Sequence, residues 1–302
     1  MTDQQKHEIV ALIEEEKERL GTYEKVANKA GFSAAMLTQM RNGNWAQIRE
    51  SKWIDIANAV GYKAEGWQIV PITNTRMLHK VFDDAKAKSL FMAVSHRAGS
   101  GKTASAKDYW KENKDKVYLL QCREWSKREF LINFCRALGI DPGRGYVSGD
   151  DMTIKVIDFF QQRAKYKPLL IIDEADKLRP AALRSLIPIY NELEEQLGMV
   201  IMGTDNLEKE VKRGVRFDKK GFDEIDSRFG RNFIHLVGAT QKDVADICAA
   251  NGITDTVLQT SIFKECEPRQ IMVQNQPRTV VEDLRRVKRA VQRELLLMQE
   301  AA

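Results

Sequence analysis

Apolar and polar positions follow two different periods along this chain, and the middle part shows both. Four short apolar runs there have the length of buried strands. They cover residues 90–94, 117–121, 169–172 and 199–202. Segments with apolar positions at helical spacing lie between them, at residues 130–138, 152–165 and 180–197. Because continuous apolar strands that alternate with helices are typical of buried parallel sheets, we predict an α/β sandwich.

The pattern on both sides of this middle part is helical only. Residues 1–66 contain several amphipathic stretches, and residues 67–75, which include Pro71, are typical of a linker. After residue 233 the pattern predicts helices alone, and the last of them covers residues 279–298. We therefore expect an N-terminal all-α domain (1–66), a linker (67–75), an α/β core (76–232) and a small C-terminal helical lid (233–302).

The stretch from Thr22 to Trp45 predicts two helices joined by a tight turn. Gly31 lies where such a turn needs a left-handed residue, and Ser33 is a suitable N-cap for the second helix. The stretch resembles the lambda-repressor-like helix-turn-helix family, including its closing Arg41-Asn42-Gly43. That resemblance implies that Ala34, Ala35, Thr38 and Gln39 face the major groove of DNA. A plain three-helix bundle for protein interaction is the alternative, since residues 1–66 are slightly acidic.

Charge and composition add bounds to this picture. The 302 residues carry a net charge of +5, and the excess lies in residues 67–232, which hold 30 basic against 24 acidic residues. If DNA is bound without sequence preference, this segment is the expected place. No apolar run approaches membrane-spanning length and no signal peptide is visible, so we expect a cytoplasmic protein without a membrane partner. The four cysteines show no spacing that indicates zinc or disulfides.

A glycine-rich turn between an apolar run and a helix predicts a phosphate-binding P-loop. The loop reads SHRAGSGKT from Ser95 to Thr103, and its backbone N–H groups would surround an anion. In that geometry Lys102 reaches the outer phosphates and Thr103 is a ligand of Mg²⁺. The predicted nucleotide contacts are Arg97, Ala98, Gly99, Ser100, Gly101, Lys102, Thr103 and Ala104. The usual pattern begins with glycine, whereas His96 stands here, and a chance Gly-Ser loop is the alternative.

A strand that ends in two acidic residues supports the prediction of a nucleotide site. Residues 169–172 form a buried strand that ends in the adjacent carboxylates Asp173 and Glu174, which is the form of a Walker B element. In this interpretation Asp173 holds Mg²⁺ and Glu174 polarises the attacking water. An acidic N-cap of the next helix is the plainer alternative. Two such elements in this order favour ATP and Mg²⁺ as substrate and cofactor.

Two further positions have both a catalytic and a plain interpretation. Thr204 ends the fourth strand and would lie near the attacking water, or it caps the strand end. Arg228 and Arg231 follow a polar, glycine-rich stretch. One of them could reach the γ-phosphate of a neighbouring subunit, or both could lie on a solvated surface.

These elements together resemble the AAA+ ATPases, and with the N-terminal domain they resemble the phage Mu B transposition protein family of target-DNA activators. The resemblance implies an AAA+ ATPase that forms a helical filament or ring on double-stranded DNA and stimulates the transposase of the same mobile element. It also implies roles for single residues: Thr204 and Arg278 as sensors, and Arg228 as an arginine finger. His96 departs from the family's glycine, and the match around Arg278 is the weakest.

The resemblance to AAA+ ATPases implies that an assembled ring or filament presents two segments to its axis, the turn after the second strand and the start of the helix after the Walker B element. Here they carry Arg123, Lys127 and Arg128 after the second strand, and Lys177 and Arg179 after the Walker B element. Their regular spacing on successive subunits would follow a phosphate backbone, although a solvated basic face is the alternative. Two other functions stay open: an operator-binding ATPase regulator that uses the helix-turn-helix, and a helicase-loading replication ATPase.

Overall fold

The computed structural model describes residues 3–46, 48–62, 67, 69–143, 147–273 and 275–300. Its helices and strands form an N-terminal helical unit, a central sheet covered by helices on both faces, and a C-terminal lid. In the part of the chain that the structure describes, no helix is both long and apolar enough to cross a membrane.

Among its described residues, the N-terminal unit has four helices: α1 (Asp3–Leu20), α2 (Tyr23–Ala30), α3 (Ala34–Arg41) and α4 (Glu50–Val60). Gly31 has a φ of 75° between α2 and α3, and the Ser33 hydroxyl accepts a hydrogen bond from the N–H of Met36. The predicted helices and turn are therefore confirmed, while a DNA-binding helix-turn-helix stays a prediction. The predicted boundary at residue 66 lies outside the described residues.

The predicted linker packs against the lid instead of running free. Ile72 is buried in the apolar cluster of the lid, and Trp67 and Val70 pack against the same cluster. Helix α5 (Thr73–Lys88) begins three residues before residue 76, where the α/β core is predicted to start. The segment before α5 is thus part of the wall of the site that is described below.

In the described part of the chain, the central sheet has five parallel strands: β1 (Phe91–Ser95), β2 (Val117–Gln121), β3 (Leu169–Asp173), β4 (Gly198–Gly203) and β5 (Phe233–Ile234). Their order in the sheet is β2-β3-β4-β1-β5. The first four agree with the apolar runs, whereas β5 was missed because two residues carry no periodic signal. Strand β4 pairs with both β1 and β3, so the carboxyl ends of these three strands lie side by side.

Helices cover both faces of this sheet and bury a separate apolar cluster on each face. In chain order they are α5, α6 (Lys102–Glu112), α7 (Lys127–Ala137), α8 (Gly149–Gln161), α9 (Pro180–Arg184), α10 (Leu186–Leu193), α11 (Asp205–Arg216) and α12 (Phe222–Arg228). The single helix predicted for residues 180–197 is divided at Ser185. Pro188 causes the division, because its ring would clash with the carbonyl four residues earlier in a continuous helix.

The prediction of a lid that contains only helices was wrong. Helices α13 (Gln241–Ala250), α14 (Thr256–Glu265) and α15 (Leu284–Glu300) are accompanied by β6 (Ala239–Thr240), β7 (Arg269–Val273) and β8 (Gln276–Val281). These strands form an antiparallel sheet in the order β6-β8-β7. The first residues of the predicted last helix, Thr279, Val280 and Val281, are β-branched and belong to β8.

Candidate functional site

The glycine-rich loop connects β1 to α6 at the centre of the sheet. Gly99 and Gly101 have φ values of 86° and 90°, a region that favours glycine. A Cβ on Gly101 would lie 2.9 Å from the side chain of Leu284, so the lid also limits the size of this residue. Helix α6 begins at Lys102, and its first N–H groups point into the loop, which is the geometry of an anion site.

Lys102 is held inside the loop by three oxygen atoms. Its ammonium group donates to the carbonyls of His96 (2.5 Å) and Arg97 (2.9 Å) and to the Ser100 hydroxyl (3.0 Å). Burial lowers the pKa of Lys102, and the nearby carboxylate of Asp173 opposes this change. The hydrogen-bond acceptors of this buried lysine are two carbonyls and one hydroxyl, all neutral. It is therefore suited to exchange them for charged phosphate oxygens.

The predicted Mg²⁺ ligands are in direct contact. The Thr103 hydroxyl donates to Asp173 Oδ2 at 2.6 Å, and the N–H of Glu174 donates to Asp173 Oδ1 at 2.9 Å. Burial raises the pKa of Asp173, although both hydrogen bonds act in the opposite direction. A buried carboxylate with a raised pKa beside a hydroxyl fits a site for a hard cation, which would compensate the desolvated charge.

Glu174 stands at the mouth of the site in a left-handed conformation, with φ 56° and ψ 36°. Its Oε1 accepts from Lys177 at 2.6 Å, and its Oε2 accepts from the amide of Gln121 at 3.2 Å. Burial opposes ionisation of Glu174, but these two contacts lower its pKa. The carboxylate is therefore ionised at neutral pH and is held by groups from β2 and from the turn after β3.

Thr204 has the predicted capping role, and its catalytic role stays a prediction. Its hydroxyl accepts from the N–H of Asn206 at the start of α11, which is a helix cap, and donates to Asp176 Oδ2 at 2.6 Å. Both Thr204 and Asp176 line the same cavity as the glycine-rich loop. A strand-end threonine that contacts an acidic side chain beside Glu174 can orient a polar group in this cavity.

His96 occupies the position where the motif usually has glycine. Its backbone N–H donates to the Gly203 carbonyl at 3.3 Å, which fixes the start of the loop to β4. Its Nε2 is buried without a hydrogen-bond partner among the described residues. Burial, and then the charge of Lys102, lowers the pKa of His96. The imidazole is therefore neutral at neutral pH and adds no positive charge to the loop.

A cavity of about 630 Å³ joins these elements. The described residues that line it come from the linker, the glycine-rich loop, the ends of β3 and β4, and the lid. They include Trp67, Ile69, Val70, Ile72, Ala98, Gly99, Ser100, Gly101, Lys102, Thr103, Ala104, Asp173, Glu174, Asp176, Thr204, Ile247, Leu284, Arg285 and Lys288. One end is polar and cationic, whereas the linker and lid supply apolar side chains, so the cavity suits a ligand with a phosphate end and a flat apolar end.

The lid contacts the loop directly. The N–H of Leu284 donates to the Gly99 carbonyl at 2.9 Å, and Arg97 forms a salt bridge of 2.9 Å with Glu282. Arg97 thus faces the lid and is not among the cavity-lining residues. The predicted lid sensor Arg278 is an exposed residue of β8 and does not line the cavity either, whereas Arg285 does. The sequence missed Arg285 because the start of α15 was placed five residues too early.

Asn74 is a second residue that the sequence did not single out. Its side chain is fully buried, donates to the Ser100 carbonyl at 3.0 Å, and accepts from the N–H groups of Val237 (3.1 Å) and Gly238 (2.9 Å). These bonds connect the glycine-rich loop to the segment where the core passes into the lid. Because a lone asparagine in a presumed linker carries no motif, only the folded structure identifies this role.

The two candidate finger arginines lie outside the cavity. Arg228, at the end of α12, donates to the Asn191 side chain at 2.7 Å and lies over the ring of Tyr190. Arg231 is paired with Asp223 at 2.9 Å. Both are partly exposed, so either could contact a second molecule, and the two stay alternatives.

The predicted DNA-contacting residues of the core lie on neighbouring loops. Arg123, Lys127, Arg128, Lys177 and Arg179 are exposed. The two loops are connected by a hydrogen bond of 3.2 Å from the Arg179 N–H to the Trp125 carbonyl. Arg128 also donates to the Val147 carbonyl at 2.7 Å, and Lys177 is paired with Glu174. The basic segments therefore form one surface beside the mouth of the cavity.

Thr38 and Gln39 are exposed on α3 in the N-terminal unit, as a DNA-reading helix would need. The Thr38 hydroxyl, however, donates to the Ala34 carbonyl at 2.9 Å. Their role at DNA stays a prediction.

Comparisons with known proteins agree with this geometry. Residues 86–210 match the family model described as AAA domain. A comparison with curated proteins found no match. Among solved structures, Cdc6p from Pyrobaculum aerophilum has 15% sequence identity and a TM-score of 0.53, with 76% of this chain and 62% of that chain covered. The ORC2 protein of Aeropyrum pernix, in ADPNP–ADP complexes, has 12% identity and a TM-score of 0.49, with 78% and 64% covered.

The chain therefore spans less than two thirds of the length of either structure. At these identities the likeness concerns the fold alone. With the matching domain model, it shows an AAA+ P-loop NTPase fold, a parallel five-stranded sheet with surrounding helices, as the sequence predicted. The domain match and the loop geometry indicate a nucleotide-binding ATPase.

Proposed function

We propose that this chain is an ATP-dependent DNA-binding ATPase that assembles as an oligomer or filament on duplex DNA without sequence preference. In this role it selects or delivers target DNA and stimulates the transposase of the same mobile element. The observation that supports it most is the basic surface formed by the loops after β2 and β3, which lies beside the mouth of the nucleotide cavity. ATP binding can therefore alter the same loops that would contact phosphates.

In the proposed ATP site, Lys102 and the N–H groups of the loop bind the outer phosphates. Thr103 and Asp173 would hold Mg²⁺, which neutralises charge on the phosphates when it is bound. Glu174 accepts a proton from, and orients, the attacking water, and Thr204 with Asp176 positions that water. The apolar residues of the linker, led by Trp67 and Ile72, exclude water from the base.

Arg285 is the lid cation that we assign to the phosphates, in place of Arg278. Arg285 lines the cavity and lies one residue after Leu284, which contacts the loop. The matched comparison is Arg285→Ala against Arg278→Ala, because both remove one guanidinium from the lid. A titration with fluorescent ATP should show an affinity about tenfold lower for Arg285→Ala only, as expected for one charge-assisted contact. An effect confined to Arg278→Ala would restore the assignment made from the sequence.

The test of DNA binding uses duplexes of several lengths and unrelated sequences, with and without ATP. A filament former should bind long duplexes cooperatively, equally for all sequences, and only with ATP. Neutralising Arg123, Lys127 and Arg128 to alanine should weaken binding equally for every duplex and reduce the salt slope by about 3, one for each phosphate contact. Saturation on one short sequence, with an unchanged salt slope in the triple variant, would favour the operator-binding regulator.

A helicase-loading ATPase is the second candidate, because a fold shared with Cdc6p is compatible with it as well.

Substitutions at Thr38 and Gln39 distinguish the filament former from the operator-binding regulator. If substitution of both by alanine removes DNA binding while the basic surface is intact, the N-terminal unit is the DNA-binding part and the filament proposal fails.

A further inference from the structure

A second, polar cavity lies between the N-terminal unit and the core, at the amino ends of β2 and β3, whereas the nucleotide cavity lies at the carboxyl ends of the strands. Its volume is about 390 Å³. Three chain segments meet there: the end of α1, the turn that leads into β2, and the turn after α8. The residues that the argument uses are Arg19, Lys116, Tyr118, Arg163, Lys165 and Tyr166. None of them has a role in the nucleotide site.

Arg19 carries the clearest signal, because one of its donors is buried without an acceptor. The side chain is only 5% exposed. Its Nε and Nη2 donate to Glu16 at 3.0 and 2.5 Å. Its Nη1 is buried and has no hydrogen-bond partner among the described residues. A buried guanidinium N–H without an acceptor costs free energy, so a bound acceptor in this cavity would be favoured.

The carboxylate beside Arg19 is already occupied by two cations. Glu16 is fully buried, and it also accepts from Lys29 at 2.6 Å. Burial opposes ionisation of Glu16, but Lys29 and Arg19 outweigh it and lower the pKa to about 2. One negative charge thus faces two buried positive charges. Glu16, Arg19 and Lys29 together therefore carry one excess positive charge between the N-terminal unit and the core.

The cavity wall adds further positive charge. The lining residues that the structure describes include four cations and one carboxylate, Asp115. The cations are Arg19, Lys116, Arg163 and Lys165. The ammonium of Lys116 is 3.9 Å from Asp115, which is beyond hydrogen-bond distance. Several cations around one small polar cavity favour an anionic ligand over a neutral one.

Two of these cations are fixed before any ligand arrives. The Arg163 guanidinium lies 3.7 Å from the centre of the Phe159 ring and donates to the Phe159 carbonyl at 3.1 Å. The Arg19 guanidinium lies 5.3 Å from the centre of the Tyr118 ring. Burial raises the pKa of Tyr118, so its hydroxyl stays a donor at neutral pH. Rigid donors lose little conformational entropy when a ligand binds.

We propose that this cavity binds a phosphate group that accepts hydrogen bonds from Arg19 Nη1 and pairs with Lys116, Arg163 and Lys165. Phosphate fits better than a carboxylate, because the donors approach from three chain segments and a phosphate offers acceptor oxygens in more directions. The group belongs either to a small free phosphate or to the backbone of a nucleic acid. When bound, it connects α1 to the core and strengthens the contact of the N-terminal unit with the ATPase.

The test uses pyrophosphate without divalent metal as the probe, and the full chain with Lys102→Ala as the background so that the P-loop contributes little. Isothermal titration calorimetry is compared with sodium chloride of equal ionic strength. In this background, Lys116→Ala with Lys165→Ala removes two exposed cations of the cavity. The matched control is Lys219→Ala with Lys264→Ala, two exposed lysines that do not line this cavity.

We expect pyrophosphate to bind, the cavity pair to weaken this binding about tenfold, and the control pair to leave it unchanged. Arg19→Lys, which keeps the positive charge but replaces the three guanidinium nitrogens with one ammonium and so removes Nη1, should weaken it as well. Absence of binding above the chloride control, or an equal effect of both lysine pairs, overturns the proposal. Because the readout is pyrophosphate binding, failure here leaves the proposed ATPase function unaffected.

The source of the phosphate follows from the same variants in the chain with native Lys102. If nucleic acid supplies the phosphate, Lys116→Ala with Lys165→Ala should weaken duplex binding by about the same factor as pyrophosphate binding. Pyrophosphate should then also compete with DNA. If a small free phosphate is the ligand, duplex binding is unchanged while pyrophosphate binding is lost. Both results support the site and assign its occupant.

Discussion

Replacement of Gly99 by alanine tests the contact between the lid and the glycine-rich loop. Gly99 has a φ of 86°, and its carbonyl accepts the N–H of Leu284. A Cβ added there would lie 2.0 Å from Oδ1, 2.7 Å from Cγ and 3.3 Å from Cα of Asp283. A rotation of the Asp283 side chain does not remove the backbone approach, so the lid must move away from the loop.

The expected loss in the free energy of unfolding has two parts, backbone strain and displacement of the lid. Comparison with a second glycine, Gly21, separates them. Left-handed backbone costs an alanine about 1–2 kcal/mol. Gly21, with a φ of 92° and nothing within 4 Å of an added Cβ, would pay this strain alone. Displacement of the lid adds the loss of the Leu284 hydrogen bond, about 1 kcal/mol. Reduced packing of Leu284 on Gly101 adds about 1 kcal/mol more. Gly99→Ala should therefore cost roughly 2 kcal/mol more than Gly21→Ala.

Urea unfolding gives the free energies, and a fluorescent ATP titration gives the nucleotide affinity. Gly99→Ala should lower the affinity at least tenfold, whereas Gly21→Ala should leave it unchanged. Asp283→Ala removes the two closest atoms but also an α15 cap, since Asp283 Oδ1 accepts from the Arg285 N–H at 3.0 Å. The double variant should regain about 1 kcal/mol relative to the sum of its single variants. Equal costs for the two glycines, or strict additivity with Asp283→Ala, would refute the reasoning.

Three other predictions concern the chemistry of the site. Lys102→Ala should abolish ATP-dependent DNA binding, whereas Glu174→Gln should keep ATP bound, slow its hydrolysis and prolong the lifetime of DNA complexes. An equal loss of fluorescent-ATP binding in both variants would contradict these roles. Arg228→Ala should bind ATP almost normally but hydrolyse it poorly, and Lys102→Ala subunits should partly restore its turnover; mixtures no more active than their components would argue against a finger acting between subunits. Burial raises the pKa of Asp173, so its ionisation costs folding free energy as pH rises from the unfolded pKa of about 3.8 through the folded pKa. Without ATP and Mg²⁺, Asp173→Asn should therefore unfold at a higher temperature at neutral pH and lose this pH dependence; calorimetry that finds it less stable would show that the charge is compensated.

The sequence predicted the parts of the fold in which a local pattern carries the information. The apolar runs of β2 and β3 and the spacing of Lys102, Thr103 and Asp173 are local features, and parallel strands place their carboxyl ends together. The packing partners are not local. The hairpin of β7 and β8 was missed because its strands are mostly exposed, and because apolar and polar residues do not alternate along either segment.

The same distinction applies within the site. Asn74, a polar residue in a presumed linker, gains its role only when tertiary packing buries it among three backbone groups. Gln121 contacts Glu174 only because β2 and β3 are neighbours in the sheet. Lid residues such as Arg285 depend on the start of α15, and helix boundaries are set by tertiary contacts as much as by propensity. Arg285 could have been considered from the four basic residues at 285, 286, 288 and 289, but this signal does not distinguish a site from a solvated face.

The central claim is that ATP bound in this cavity drives assembly of the chain on plain duplex DNA. Electron microscopy of the full chain with long duplex of arbitrary sequence tests it most directly, with ATP, without ATP, and with Lys102→Ala as the control. We predict continuous nucleoprotein filaments with ATP, longer-lived ones with Glu174→Gln, and bare duplex in the other two samples. Isolated particles at fixed positions on the DNA, or filaments of equal length without ATP, would contradict the account.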